Sequence, residues 1–116
     1  MLNDGPLTID RKEGKTADTL IFCLSGPLTL RNIFEFQAEL RSLPPTPLTV
    51  IDLTGVPYMD SAGMGLVMNH YVRCQTRGTK VVVSGANSRV MDVFKVTKVD
   101  TILPLVATLE EAEARA

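Results

Sequence analysis

Leu48-Thr-Val-Ile-Asp-Leu53 and Lys80-Val-Val-Val-Ser84 are short apolar runs in which polar residues do not alternate with apolar ones. A strand with one face in water alternates, whereas a strand covered on both faces does not. Between the two runs lies Met64 to Arg77, where Met64, Val67, Met68, Tyr71 and Cys74 share one helical face and Asn69, Arg73 and Arg77 another, and Gly78 closes the helix. Strand, helix and strand, with both strands enclosed, imply a parallel pair joined by a crossover. The chain is therefore an α/β protein.

The remaining segments fit around that unit. Leu7-Thr-Ile-Asp10 and Thr19-Leu-Ile-Phe-Cys-Leu-Ser25 predict two strands. The polar stretch from Arg11 to Asp18, with Gly14 at its centre, predicts a hairpin between them, and Gly26-Pro27 stops the second strand. Thr29 is placed to cap a helix from Leu30 to about Leu43, with Ile33, Phe36, Leu40 and Leu43 as its apolar stripe. Asn32, Glu35 and Glu39 take its opposite side, and Pro44-Pro45-Thr46-Pro47 ends it. Ser88 is placed to cap a helix to about Val96, Thr101-Ile-Leu-Pro104 predicts a short strand, and Glu110 to Ala116 a frayed terminal helix. The order is β-β-α-β-α-β-α-β-α: one domain over residues 1–116, a mixed, mostly parallel sheet of about five strands and about four helices.

Bulk properties remove several classes of function. A chain of 116 residues buries roughly two-thirds of its unfolded surface, enough for a core. Its formal net charge of −1, without a basic block, argues against a nucleic-acid partner. No apolar run approaches the roughly 18 residues of a membrane span, and the first residues do not make a signal peptide. Cys23 and Cys74 lie far apart and read as buried, reduced thiols, so the expected compartment is the cytoplasm. No Cys/His spacing suits a metal, and no cofactor motif is present.

The candidate site is Asp60-Ser61-Ala62-Gly63, reached through the loop Thr54-Gly55-Val56-Pro57-Tyr58-Met59. Ser61 is expected at a helix N-terminus, at the carboxyl end of a parallel strand, beside unpaired N–H groups that favour negative charge. A phosphate can sit there without breaking the fold. The local pattern leaves three roles for Ser61: helix cap, nucleophile or phosphate acceptor. A nucleophile elbow wants glycine where Met59 stands, and it wants a histidine base. His70, the single histidine, lies roughly two and a half helical turns along the same helix, at the edge of its stripe, and reads as a partly exposed structural residue. Gly63 and Gly65 do not complete a dinucleotide fingerprint, and Asp52 and Asp60 suggest no acid–base pair. Leu66 falls away from the stripe, near Ala62, Asn69 and Arg73. It reads either as a scattered exposed apolar residue or as an apolar contact beside Ser61.

The run Val50-Ile-Asp-Leu-Thr-Gly-Val-Pro-Tyr-Met-Asp-Ser-Ala-Gly-Met-Gly-Leu66 resembles the core of STAS domains, named for sulfate transporters and anti-sigma factor antagonists. The element order is similar over nearly the whole chain. In stand-alone bacterial members of that family the serine after the aspartate is phosphorylated by a partner kinase that is also an anti-sigma factor. The unphosphorylated antagonist binds the anti-sigma factor and frees the sigma factor; the phosphorylated form lets go, and a phosphatase restores it. The resemblance thus implies that Ser61 is a phosphoacceptor and that Asp60, Ser61, Ala62, Gly63 and Leu66 contact the partner. It implies a cytoplasmic regulator of sigma-dependent transcription with no catalytic residues, no metal and no cofactor. Its partners would be an anti-sigma factor with serine-kinase activity and a serine phosphatase, with no nucleic acid or membrane, and a homodimer left open. A scaffold of a signalling assembly and a STAS subunit of a transport ATPase system are the alternatives. Two positions depart from the family pattern. Gly26-Pro27-Leu28-Thr29 stands where a Gly-acid-Leu-Asp pattern is common near the kinase contact, and Lys98 stands where glycine is favoured after the third helix. The second departure puts a non-glycine residue in a left-handed cap or alters the turn.

Overall fold

The computed structural model describes residues 6–16 and 18–115. Residues 1–5 of the expected domain, Ala17 of the expected hairpin connection and Ala116 of the expected terminal helix lie outside the described residues. Five strands form one sheet in the order β1-β2-β3-β4-β5. They are β1 (Thr8–Glu13), β2 (Thr19–Ser25), β3 (Leu48–Gly55), β4 (Lys80–Ser84) and β5 (Leu105–Val106). β1 runs antiparallel to β2 and every other neighbouring pair is parallel, the mixed sheet that the patterning predicts.

Alternate side chains of each strand point to opposite faces. Phe22, Leu24, Ile51, Leu53, Val81 and Val83 form one face and pack with α1 (Phe34–Ser42), α2 (Ser61–Arg77) and α3 (Ser88–Val96). Ile21, Val50 and Val82 face the other way, against Ala112 of α4 (Leu109–Glu113). β3 is thus buried on both sides, which is why its sequence does not alternate. Phe22, Phe36 and Phe94 are fully buried, each worth about 1.5–3 kcal/mol relative to exposure. The rings of Phe22 and Phe36 meet edge to face at 5.4 Å. The edge strand β1 carries Asp10, Arg11, Lys12 and Glu13, charges that discourage pairing with another chain.

Several boundaries differ from the sequence expectation: β1 continues to Glu13 into the stretch expected as the hairpin connection, β3 continues to Gly55, α4 covers Leu109–Glu113, and three further differences have a visible cause. α1 starts at Phe34 rather than Leu30, and Thr29 does not cap it. Thr29 and Asn32 form a turn instead: Asn32 N–H donates to the Thr29 carbonyl at 3.0 Å, and Asn32 Oδ1 accepts from Thr29 N–H at 2.8 Å. That turn is held from outside, because Leu28 pairs with Met59 in an isolated parallel bridge. Tertiary pairing thereby removes the first helical turn. The apolar stripe is nonetheless as expected, with Ile33, Phe36, Leu40 and Leu43 all buried.

The last strand lies at Leu105–Val106 rather than Thr101–Pro104. Lys98 adopts the left-handed conformation (φ +63°) anticipated for a non-glycine residue at this position, and a 3-10 turn over Val99–Thr101 follows it. That turn uses the residues the strand needed, and pairing with β4 starts only beyond it. α3 is capped by Asn87, whose Oδ1 accepts from Val90 N–H at 2.9 Å, so Ser88 is the first helical residue and not the cap.

Candidate functional site

The loops β2–α1, β3–α2 and β4–α3 gather at the carboxyl ends of the parallel strands. Asp60 connects two of them. Its Oδ1 accepts from Gly63 N–H at 3.0 Å and caps α2, while its Oδ2 accepts from Leu30 N–H at 3.1 Å. Its own N–H donates to the Leu28 carbonyl at 3.2 Å. Asn87 ties in the third loop, donating from Nδ2 to the carbonyls of Val56 and Pro57. The guanidinium of Arg89 lies 5.1 Å over the Tyr58 ring, which fixes the neighbouring surface.

Capping by Asp60 leaves Ser61 as the first residue of α2, exposed, with no hydrogen bond to its hydroxyl among the described residues. The cap role open to Ser61 in the sequence therefore belongs to its neighbour. The nucleophile reading loses its base: His70 Nε2 is held by Thr49 Oγ1 at 2.8 Å inside the protein. Ser88 occupies the same geometry at the start of α3, exposed and one residue after an Asx cap, but its cap is the neutral Asn87. Of the other serines near these loops, Ser84 is fully buried and donates to Asp52 Oδ1 at 2.7 Å.

Gly63 and Leu66 are placed differently from the sequence expectation. Both are buried. A Cβ on Gly63 would collide with the Leu28 carbonyl oxygen, so glycine is what lets the first turn of α2 rest on the β2–α1 loop. Gly65, two residues on, has open space around it. This contact sets the rotation of α2. Its buried residues are Gly63, Leu66, Val67, His70 and Cys74, while Met64, Met68 and Tyr71, expected to form the stripe, lie half-buried on its flank. Leu66 is only 6% exposed and packs in the core, so it offers no surface contact beside Ser61. Ala62 remains half-exposed.

His70, expected to be partly exposed, is 6% exposed. Burial, and then the charges of Arg73 and Arg77, lower its pKa from 6.5 to about 4, so the ring is neutral near pH 7. Leu30 (60% exposed) is tied to the site by its N–H bond to Asp60, and Phe34 (61% exposed) stands at the start of α1, the helix that follows the same loop; neither was singled out in the sequence. Leu30 was assigned to a helix that starts later, and Phe34 lies next to the stripe rather than on it. Among the described residues, no group of three His, Cys, Asp or Glu side chains is arranged to hold a metal, and no helix is long and apolar enough to cross a membrane.

The family model of the STAS domain matches residues 11–112. Over 55 residues the chain is 33% identical to the anti-sigma-B factor antagonist of Listeria monocytogenes, a span of 47% of this chain and 48% of that protein. The chain thus spans about half the length of that relative. Two solved structures share the fold. An anti-sigma factor antagonist from Mycobacterium paratuberculosis superposes with a TM-score of 0.85 at 19% identity, covering 94% of this chain and 92% of that one. The Bacillus cell fate determinant SpoIIAA in its phosphorylated form superposes with a TM-score of 0.72 at 20% identity, covering 93% and 98%. At such identities the likeness concerns the fold.

Proposed function

The chain belongs to the STAS domain family, and from that premise we propose that it is a cytoplasmic anti-sigma factor antagonist switched by phosphorylation of Ser61. The unphosphorylated form binds an anti-sigma factor with serine-kinase activity; phospho-Ser61 releases it, and a serine phosphatase restores the starting state. The protein is then a substrate in this cycle and not an enzyme. The observation that carries the reading is the division of labour at the start of α2: Asp60 caps the helix, so the Ser61 hydroxyl stands exposed and uncommitted.

Physical chemistry supports the switch. A phosphate adds about −1.5 to −2 charge, and at the first turn of a helix the free N–H groups and the dipole tolerate it. The same charge beneath a docked partner must be desolvated or must face like charge. The docking surface is built from Asp60, Ser61 and Ala62 together with Leu30, exposed on the loop that Asp60 holds, and Phe34, exposed at the start of the helix that follows it. Gly63 and Leu66 serve it from below, by shape and packing.

The test is incubation with the cognate kinase and ATP, followed by peptide mapping and by binding measurements on both forms. One phosphate is expected, on Ser61, absent in Ser61→Ala, with affinity for the anti-sigma factor reduced at least tenfold, or about 1.4 kcal/mol. Phosphate on Ser88 with Ser61 unmodified, or equal binding by the two forms, overturns the proposal.

A further inference from the structure

Gly63 and Gly65 stand two residues apart in α2, and the fold accounts for only the first. At Gly63 a Cβ would collide with the Leu28 carbonyl oxygen. At Gly65 a Cβ would meet nothing within 4 Å, and the backbone there is not in the left-handed region. The position lies beyond the first turn of a helix that continues to Arg77. Glycine in a helix interior is less stable than alanine, because it gives up more conformational freedom on folding. Neither packing nor backbone geometry offsets that loss within this chain. Glycine also serves where another group must approach the backbone closely, and at this position that group has to come from outside the chain.

The residues around the missing side chain indicate what fits there. On a helix surface the neighbours of a residue lie three and four positions away. For Gly65 these are Ser61, Ala62, Met68 and Asn69. Ala62 and Met68 are half-buried and pack against the core, whereas Ser61 and Asn69 are exposed. Gly65 therefore leaves a notch with helix backbone as its floor and two apolar and two polar side chains at its rim. Methionine is unbranched and polarizable, so Met68 can mould to an inserted apolar group. Ser61 also says whose group it is. It lies one helical turn from Gly65 on the same face, so a kinase that reaches the Ser61 hydroxyl must lay its surface over this stretch of α2.

We propose that the anti-sigma factor kinase seats a large apolar side chain in the notch at Gly65, as a knob enters a hole between four side chains of a facing helix. This rests on the reading of Ser61 given above and extends it from the phosphoacceptor to the contact that holds the partner. Ser61 is one corner of the notch, so a phosphate on its hydroxyl stands at the rim and must lose water when the apolar group enters. One site thus provides affinity in the unphosphorylated form and release in the phosphorylated form. Alanine at position 65 makes the notch shallower, and leucine fills it.

The experiment compares Gly65→Ala and Gly65→Leu with the wild type in thermal unfolding and in calorimetric binding of the unphosphorylated full chain to the kinase that modifies Ser61. Gln75→Leu, at an exposed position far along the same helix, is the matched control. Both Gly65 variants are expected to melt no lower than the wild type. Affinity is expected to fall from wild type to Gly65→Ala to Gly65→Leu, by at least tenfold for the last, with Gln75→Leu unchanged. Wild-type affinity in the Gly65 variants overturns the proposal, and Gly65→Ala alone decides if Gly65→Leu fails to fold. An equal loss in Gln75→Leu, or a lowered melting temperature in Gly65→Ala, also overturns it, because the notch is then not the cause or the fold needs the space. A wild-type chain that neither binds the kinase nor takes phosphate on Ser61 overturns the reading of Ser61 and this proposal together. Normal binding and phosphorylation of the wild type, matched by the Gly65 variants, overturns this proposal alone.

Discussion

Asp60 and Leu30, separated by 30 positions in the chain, are joined by one hydrogen bond of 3.1 Å from the Leu30 N–H to Asp60 Oδ2. The other oxygen of the same carboxylate caps α2 through Gly63 N–H. A single side chain therefore sets both the start of the helix that presents Ser61 and the loop that presents Leu30. This makes the surface around Ser61 one unit rather than two adjacent loops.

Asp60→Ala removes the cap and the cross-loop bond together. A lost cap typically costs about 0.5–2 kcal/mol, and an unpaired loop N–H adds to it. The urea midpoint is expected to fall by the equivalent of about 2 kcal/mol with an unchanged m-value. A change below about 0.5 kcal/mol, usual for an uninvolved surface position, would show that the carboxylate does not organise this surface.

Gly63→Ala and Gly65→Ala should act in opposite directions although they are two residues apart on one helix. At position 63 the new methyl meets the Leu28 carbonyl, and the loop must shift at a cost of about 1–3 kcal/mol. At position 65 there is open space, and alanine gains about 0.5–1 kcal/mol from helix propensity. Thermal unfolding of both variants decides the matter. A destabilised Gly65→Ala or a neutral Gly63→Ala contradicts the packing described.

His70 makes stability depend on pH. Its pKa is near 6.5 unfolded and about 4 folded, so between those values the unfolded chain binds more protons. Stability contributed by the neutral ring is complete above about pH 6.5 and is lost as pH falls toward 4, by on the order of 3 kcal/mol. Between pH 7 and pH 5 the urea midpoints are expected to register about 2 kcal/mol of that fall, the rest coming nearer pH 4, and His70→Gln should flatten it. An identical slope in the variant would assign the loss to other groups.

Leu30→Ser and Phe34→Ser should leave melting temperature nearly unchanged, because both side chains are exposed. If they are docking anchors, each should weaken binding to the anti-sigma factor by about 2 kcal/mol in calorimetry. Leu66→Arg is expected to behave in the reverse manner, destabilising the fold by several kcal/mol because it buries an unpaired charge. Wild-type affinity in both serine variants would place the partner elsewhere.

The element order, the mixed sheet and the position of Ser61 at the head of a helix were legible in the sequence. They follow from local signals: non-alternating runs at Leu48–Leu53 and Lys80–Ser84, a helical stripe, and breakers at Gly26-Pro27, Pro44-Pro45 and Gly78. At Lys98 the family resemblance, which favours glycine there, pointed to a left-handed non-glycine residue or an altered turn, and Lys98 takes the left-handed conformation.

What only the tertiary structure decided is the set of contacts that act across the chain. Pairing of Leu28 with Met59 shortened α1, and the close approach of Gly63 to Leu28 turned α2 so that Leu66 and His70 went into the core and Met64 and Tyr71 to its flank. Periodicity shows that a helix has an apolar face, but Met64, Leu66, Val67 and Met68 are apolar enough to support more than one rotation. The choice among them is made by which backbone the first turn touches, and that backbone lies more than 30 residues upstream. The same holds at the site itself: one residue type, Asp or Ser, suffices to cap a helix, and only the bond from Asp60 to Gly63 determined which of the two adjacent candidates does so and which is left free.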